Sequence, residues 1–193
     1  MKRSIKPITG KWDFGYVLDK HVLSSVYCGH NAYGRPQFNT TRSEVGEALF
    51  KLKYRGDWTQ VPYLASVLAS SVYPKYKDVG LLISMPASNT RPRQPVTELT
   101  IALGQLVNVP VFDNLIIKQP NSQQLKDLHT KEEKLEALKN SFSVQDVIEG
   151  DGPWNALLID DLFDTGASLQ AACTVLRTYK KISRLYVAAL TWK

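Results

Sequence analysis

Cysteine, histidine and long apolar runs are scarce in this chain, and each scarcity removes a class of function. Only Cys28 and Cys173 occur, far apart and in unlike surroundings, so there is no disulfide framework and no Cys-x-x-Cys half of a zinc ribbon. Cys173 falls in a stretch patterned as an apolar helix, which suits a buried free thiol. His21, His30 and His129 are too widely spaced to suggest a metal site. A structural zinc is not expected, because Cys28 and His30 supply two ligands where tetrahedral zinc takes about four. No apolar run approaches the length of a membrane span. The first 20 residues carry Lys6, Lys11, Asp13 and Asp19 where a signal peptide has its apolar core, so a reducing cytoplasm is the expected compartment. Internal repeats and low-complexity tracts are also lacking.

The charge balance is modestly basic, with 24 Lys and Arg against 18 Asp and Glu. A basic surface suits nucleic acid, and a basic pocket suits a highly anionic small molecule. The chain has no Arg-rich run, no recognition-helix pattern and no basic stripe interleaved with aromatics, which favours the anionic small molecule. With 193 residues, 44% of them hydrophobic, the chain can build one good core.

What is present is concentrated in residues 156–168, which read A-L-L-I-D-D-L-F-D-T-G-A-S. Ala156, Leu157, Leu158 and Ile159 form a short apolar run of the kind found in buried parallel strands. The run ends in two carboxylates, Asp160 and Asp161. A turn follows with Asp164, Thr165, Gly166, Ala167 and Ser168, and then Leu169, Ala172, Val175 and Leu176 recur at helical spacing. Backbone N–H groups where a loop enters a helix attract anions. Gly166 permits close backbone approach, and the hydroxyls of Thr165 and Ser168 can donate to phosphate oxygens. Carboxylates repel phosphate, so Asp160 and Asp161 need another target, and vicinal sugar hydroxyls or a metal attached to them fit. The expected ligand is a phosphorylated sugar.

This segment resembles the phosphoribosyl-pyrophosphate (PRPP) motif of type I phosphoribosyltransferases: a hydrophobic strand, two acids, two spacers, Asp or Thr, then Thr-Gly-x-Ser/Thr. Every position of that pattern is filled here. A wider likeness covers roughly residues 42–193. Leu52-Lys53-Tyr54-Arg55-Gly56-Asp57 follows an amphipathic stretch, Leu81 to Met85 runs into Pro86, and Arg91, Arg93 and Gln94 follow. In this order the chain resembles the ComF-like (competence protein F-like) phosphoribosyltransferases. It departs from them in lacking a four-cysteine zinc element and in Asp164, which is more like the purine and pyrimidine salvage enzymes.

The remaining pattern alternates strands and helices. Residues 1–41 read as an irregular, hood-like elaboration in which Val17-Leu18 and residues 23–27 make short strands around a turn, as in a hairpin. Thr41 with Glu44 reads as a capping box for a helix bearing Val45, Leu49 and Leu52. A second helix carries Leu64, Val67 and Leu68, and a third begins at Pro95. Residues 79–85, 109–117, 142–147, 156–160 and 185–190 read as strands. The expected fold is therefore α/β: a type I phosphoribosyltransferase-like twisted parallel sheet flanked by helices over residues 42–193, with ligands beyond the carboxyl ends of the strands. Residues 118–140 are strongly polar, enter through Pro120-Asn121-Ser122 and read as a mobile cover.

The resemblance implies displacement of pyrophosphate from PRPP by a nitrogen nucleophile whose identity the sequence leaves open. Asp160 and Asp161 would hold the ribose hydroxyls, Asp164 would take the proton of the nucleophile, and residues Thr165, Gly166, Ala167 and Ser168 would anchor the 5′-phosphate. Ser88, Arg91, Arg93 and Lys118 would receive the pyrophosphate, with magnesium carried on PRPP itself. PRPP and a nitrogenous acceptor are the expected partners; a homodimer stays open and a membrane is not expected. A second reading is a PRPP-binding regulator or accessory protein that contacts nucleic acid and turns over little.

Overall fold

The computed structural model describes residues 3–87, 89, 91–119, 130, 138 and 141–193. Strands β1 (Lys6–Pro7), β2 (Phe14–Lys20), β5 (Val79–Ser84), β6 (Val111–Phe112), β9 (Trp154–Phe163) and β10 (Ile182–Trp192) form one sheet in the order β1-β2-β10-β9-β5-β6. All neighbours are parallel except β1, which closes one edge antiparallel to β2. Helices α1 (Glu44–Arg55), α2 (Gln60–Ser71), α3 (Pro95–Val107) and α4 (Ala167–Leu176) cover the two faces.

Strand periodicity explains how one sheet serves two cores. Along β9, Ala156 and Leu158 join Leu169, Ala172 and Leu176 of α4 on one face. Leu157 and Ile159 join Leu49 and Leu52 of α1, Leu64 and Leu68 of α2, and Leu99 and Leu103 of α3 on the other. Such a strand buries both faces and so reads as an unbroken apolar run. No helix among the described residues is long and apolar enough to cross a membrane.

Several elements differ from the sequence expectation. Val17 and Leu18, fully buried, lie in β2, which pairs in parallel with β10; residues 6–7 and 14–20 are therefore strands of the main sheet rather than parts of an irregular elaboration. The hairpin is formed instead by β3 (Val22–His30) and β4 (Pro36–Arg42), a two-stranded ribbon outside the sheet. Helix α1 is capped by Ser43, whose hydroxyl accepts from the Gly46 N–H at 2.9 Å, not by Thr41, which is spent in β4. Its other end stops at Gly56 in the left-handed conformation, as its position in the sequence suggested. Residues 109–117 do not make one strand. Pro110 and the Asp113-Asn114 bend split them into β6, in the main sheet, and β7 (Ile116–Lys118), which pairs antiparallel with β8 (Phe142–Val144). Apart from Lys118, Gln119, Thr130 and Leu138, the expected cover over residues 118–140 lies outside the described residues, as does Ser88.

The topology creates a crevice. From β5 the chain passes through α3 to β6 on one side, and from β9 through α4 to β10 on the other. The two neighbours β5 and β9 thus send their connections apart, and their carboxyl ends open the gap where ligands bind in doubly wound sheets.

Candidate active site

Asp160 and Asp161 stand at the carboxyl end of β9, opposite Ala189 of β10 and just past the last pairing of β9 with β5. The Met85 N–H donates to the Ile159 carbonyl at 2.8 Å and carries the ladder to the rim of the crevice. Two adjoining cavities open there. One, of about 260 Å³, is lined by Lys53, Arg91, Lys118, Asp160, Asp161 and Ser168 among others. The second, of about 400 Å³, is lined by Asp160, Asp164, Thr165, Gly166, Ala167 and Ser168 with Lys193 at its edge. Asp160, Leu162 and Ser168 border both, so the two adjoin and share a wall in one trough at the rim of the sheet.

The loop between β9 and α4 is shaped for close approach. Gly166 adopts φ 76°, and a Cβ there would meet the Phe163 ring at 2.8 Å, so both backbone and packing require glycine. Helix α4 begins directly after it, and its first residues, Ala167, Ser168 and Leu169, line the second cavity. Thr165 Oγ1 accepts from the Ala167 N–H at 3.4 Å, which folds the loop back on itself.

The two acids differ in surroundings. Asp161 Oδ2 lies 2.7 Å from Lys53 Nζ, with the two side chains 13% and 24% exposed. Burial opposes the charge on Lys53, but the Asp161 carboxylate outweighs it and raises the ammonium pKa above its ordinary value. Asp160 Oδ1 accepts from the Asp161 N–H at 2.8 Å. Burial first, and then the Asp161 charge, push the Asp160 carboxyl up to about 7, against the pull of that N–H and of Lys53 and Lys118. With the Lys53 ammonium bonded to Asp161 alone, its neighbour Asp160 is left the harder of the two to ionise.

No family model matches the sequence, and no curated protein matches it. Among solved structures, the adenine phosphoribosyltransferase of Trypanosoma brucei, in complex with AMP, pyrophosphate and ribose-5-phosphate, aligns over 100% of this chain and 76% of its own, with a TM-score of 0.52 at 11% identity. The fold is that of a type I phosphoribosyltransferase. Also similar are the adenine phosphoribosyltransferase of Leishmania tarentolae (TM-score 0.49, 8% identity, 98% of this chain and 95% of that one) and a Neisseria gonorrhoeae protein with bound ppGpp (0.45, 12%, 70% and 68%).

In this phosphoribosyltransferase fold the residues singled out from the sequence separate into two groups. Asp160, Asp161, Asp164, Thr165, Gly166, Ala167 and Ser168 line the trough, as do Arg91 and Lys118. Arg93 does not reach it: its guanidinium bonds Glu98 at 2.7 Å and lies 4.1 Å from the Trp58 ring centroid. Arg91 is instead held at the rim, where its Nη1 donates to the Lys53 carbonyl at 3.1 Å. Lys53 joins the site, and His21 stands behind it, reaching Asp161 only through Thr191. Lys53 sits in the LKYRGD segment, where the sequence allows phosphate contact but slightly favours a snorkelling surface residue. His21 follows β2 immediately, and no sequence signal pointed to it.

The protonation of His21 can be read from its contacts. Thr191 Oγ1 donates its only hydrogen to the Asp161 carbonyl at 3.1 Å, so it must accept from His21 Nδ1, also at 3.1 Å. The neutral imidazole therefore carries its proton on Nδ1 and braces the end of β9. Burial first, and then Arg42, Lys193 and Lys53, lower the His21 pKa against the opposing pull of Asp161. A histidine with a depressed folded pKa contributes stability that is complete above its unfolded pKa of about 6.5 and is lost as pH falls through the folded value. We expect the His21→Asn variant, which keeps a donor for Thr191 but cannot titrate, to lose less melting temperature than wild type between pH 7.5 and pH 5. Parallel melting curves for the two proteins across that range would contradict this protonation state.

Proposed function

We propose that this protein is a PRPP-dependent phosphoribosyltransferase of the ComF-like kind, transferring phosphoribose to a nitrogen nucleophile. One observation carries the reading: the Asp160–Asp161 pair and the glycine-bearing loop of residues 165–168 border one trough, which also holds the cations of Lys53, Arg91 and Lys118. Acids for a sugar diol, a backbone cradle for a phosphate and cations for a second phosphate group are the needs of PRPP and of few other ligands. The presence of Lys53 of the LKYRGD segment in that trough supports the ComF-like assignment.

The residues divide the work by chemistry. The N–H groups that open α4, with the hydroxyls of Thr165 and Ser168, hold the 5′-phosphate. Asp160 and Asp161 accept from the ribose hydroxyls and stabilise the positive charge that grows on the ring as the anomeric carbon loses pyrophosphate. The C–O bond to pyrophosphate breaks with its electron pair on the leaving group, the acceptor nitrogen forms the new bond to that carbon, and Asp164 takes the nitrogen's proton. Among the described residues no group of three or more His, Cys, Asp or Glu side chains could cage a metal by itself, and two carboxylates facing a polyphosphate site suit magnesium that keeps its waters and substrate oxygens. When bound beside Asp160 and Asp161, magnesium supplies charge neutralisation for the pyrophosphate.

Isothermal calorimetry with PRPP tests the reading. We expect saturable heat in the presence of magnesium and at least a tenfold weaker affinity in its absence. A protein that gives no heat of binding under either condition is not a PRPP enzyme.

A further inference from the structure

Lys53 is the cation that the phosphoribosyl motif does not explain. It is fixed from two sides. Its Nζ lies 2.7 Å from Asp161 Oδ2, and its carbonyl accepts from Arg91 Nη1 at 3.1 Å, which ties the last turn of α1 to the loop after β5. The side chain is 24% exposed and lines the same cavity as Arg91, Lys118 and Ser168, while Thr165, Gly166 and Ala167 line the second cavity, which Lys53 does not border. An ammonium has three donors, and the contact with Asp161 uses one of them. The cavity wall therefore carries a cation that is already oriented by a ribose-binding acid and has hydrogens to spare.

We propose that Lys53 bridges the two halves of the substrate, keeping one N–H on Asp161 and giving another to the pyrophosphate group as it departs. The inference rests on the phosphoribosyltransferase reading and adds a residue to its leaving-group site. Lys53 stays protonated throughout. The electron pair of the breaking C–O bond goes to pyrophosphate, whose growing charge is met by the ammonium, while the acceptor's proton leaves by another group. Coupling the two contacts in one side chain gives a reason for the location: the Asp161 contact holds the ammonium in place, and as the leaving group becomes more anionic the contact at the other end of the Lys53 bridge strengthens. Arg91, bound to the same turn through the Lys53 carbonyl, would bring its own charge to the same phosphate group.

Inorganic pyrophosphate and ribose 5-phosphate separate this role from a merely structural ion pair, because only the first should touch Lys53 directly. Calorimetry with each ligand, with magnesium, is run on wild type, Lys53→Gln and Lys53→Arg. Glutamine keeps a hydrogen bond to Asp161 without the charge, and arginine keeps both. Lys53→Gln should weaken inorganic pyrophosphate by roughly 10- to 100-fold, the range of a charge-assisted bond, and change ribose 5-phosphate less than threefold. Lys53→Arg should recover most of the pyrophosphate affinity. Equal losses for both ligands would mean that Lys53 acts only through Asp161, and unchanged pyrophosphate binding would mean that it does not meet the leaving group; either result overturns the proposal. A wild-type protein that binds PRPP but no inorganic pyrophosphate also overturns it while leaving the phosphoribosyltransferase reading intact. Failure of PRPP itself to bind removes that reading too.

Discussion

Changing Asp161 to asparagine is expected to leave the fold in place and to weaken PRPP binding by about 100-fold. The substitution keeps volume and a hydrogen-bonding group while removing the charge that anchors Lys53 at 2.7 Å. Charged hydrogen bonds are worth about 1.5–3 kcal/mol, so the loss of one to ribose and the slackening of Lys53 together reach that range. The side chain is 13% exposed and packs at the end of a strand whose backbone ladder is untouched, so a far-ultraviolet spectrum like that of wild type is expected. Calorimetry in magnesium reads the effect. A folded Asp161→Asn protein with wild-type affinity for PRPP would remove Asp161 from the site.

Changing Asp160 to asparagine has the opposite effect on the empty protein. Its folded carboxyl titrates near 7, held up by burial and by the Asp161 charge, whereas an unfolded aspartate titrates near 3.9. Between those values the folded state holds a proton that the unfolded state has released. Stability therefore falls as pH rises from about 4 through 7, and the penalty is complete above that. Asparagine has no such penalty. We expect the Asp160→Asn melting temperature to come nearest to wild type at about pH 4 and to exceed it by a margin that widens from there to pH 8. PRPP binding should be lost in the same variant. A stabilised protein that no longer binds is the mark of an acid kept for function, because active sites hold groups at a cost to the fold. Equal melting temperatures at pH 8 would show that Asp160 ionises without penalty.

The sequence alone determined the parts of this protein whose geometry is local. Ala156 to Ser168 form strand, turn and helix in one continuous stretch, so their spacing already places two acids beside an anion-binding helix start. The cores were legible for the same reason: β9 and the apolar faces of α1 to α4 follow periods of two and 3.6. Tertiary structure decided whatever depended on register between distant segments. Lys53, Arg91 and Lys118 meet Asp160 and Asp161 only because β5 and β9 are neighbours and α1 packs over them. Arg91 and Arg93 are two residues apart and equal in sequence, yet one reaches the Lys53 carbonyl and the other turns to Glu98. His21 gained its place from the parallel pairing of β2 with β10, which sets it beside Thr191. Periodicity tells which face of an element is buried, but it does not say which element lies across from it, and a site made of charges from several elements is fixed by that second fact.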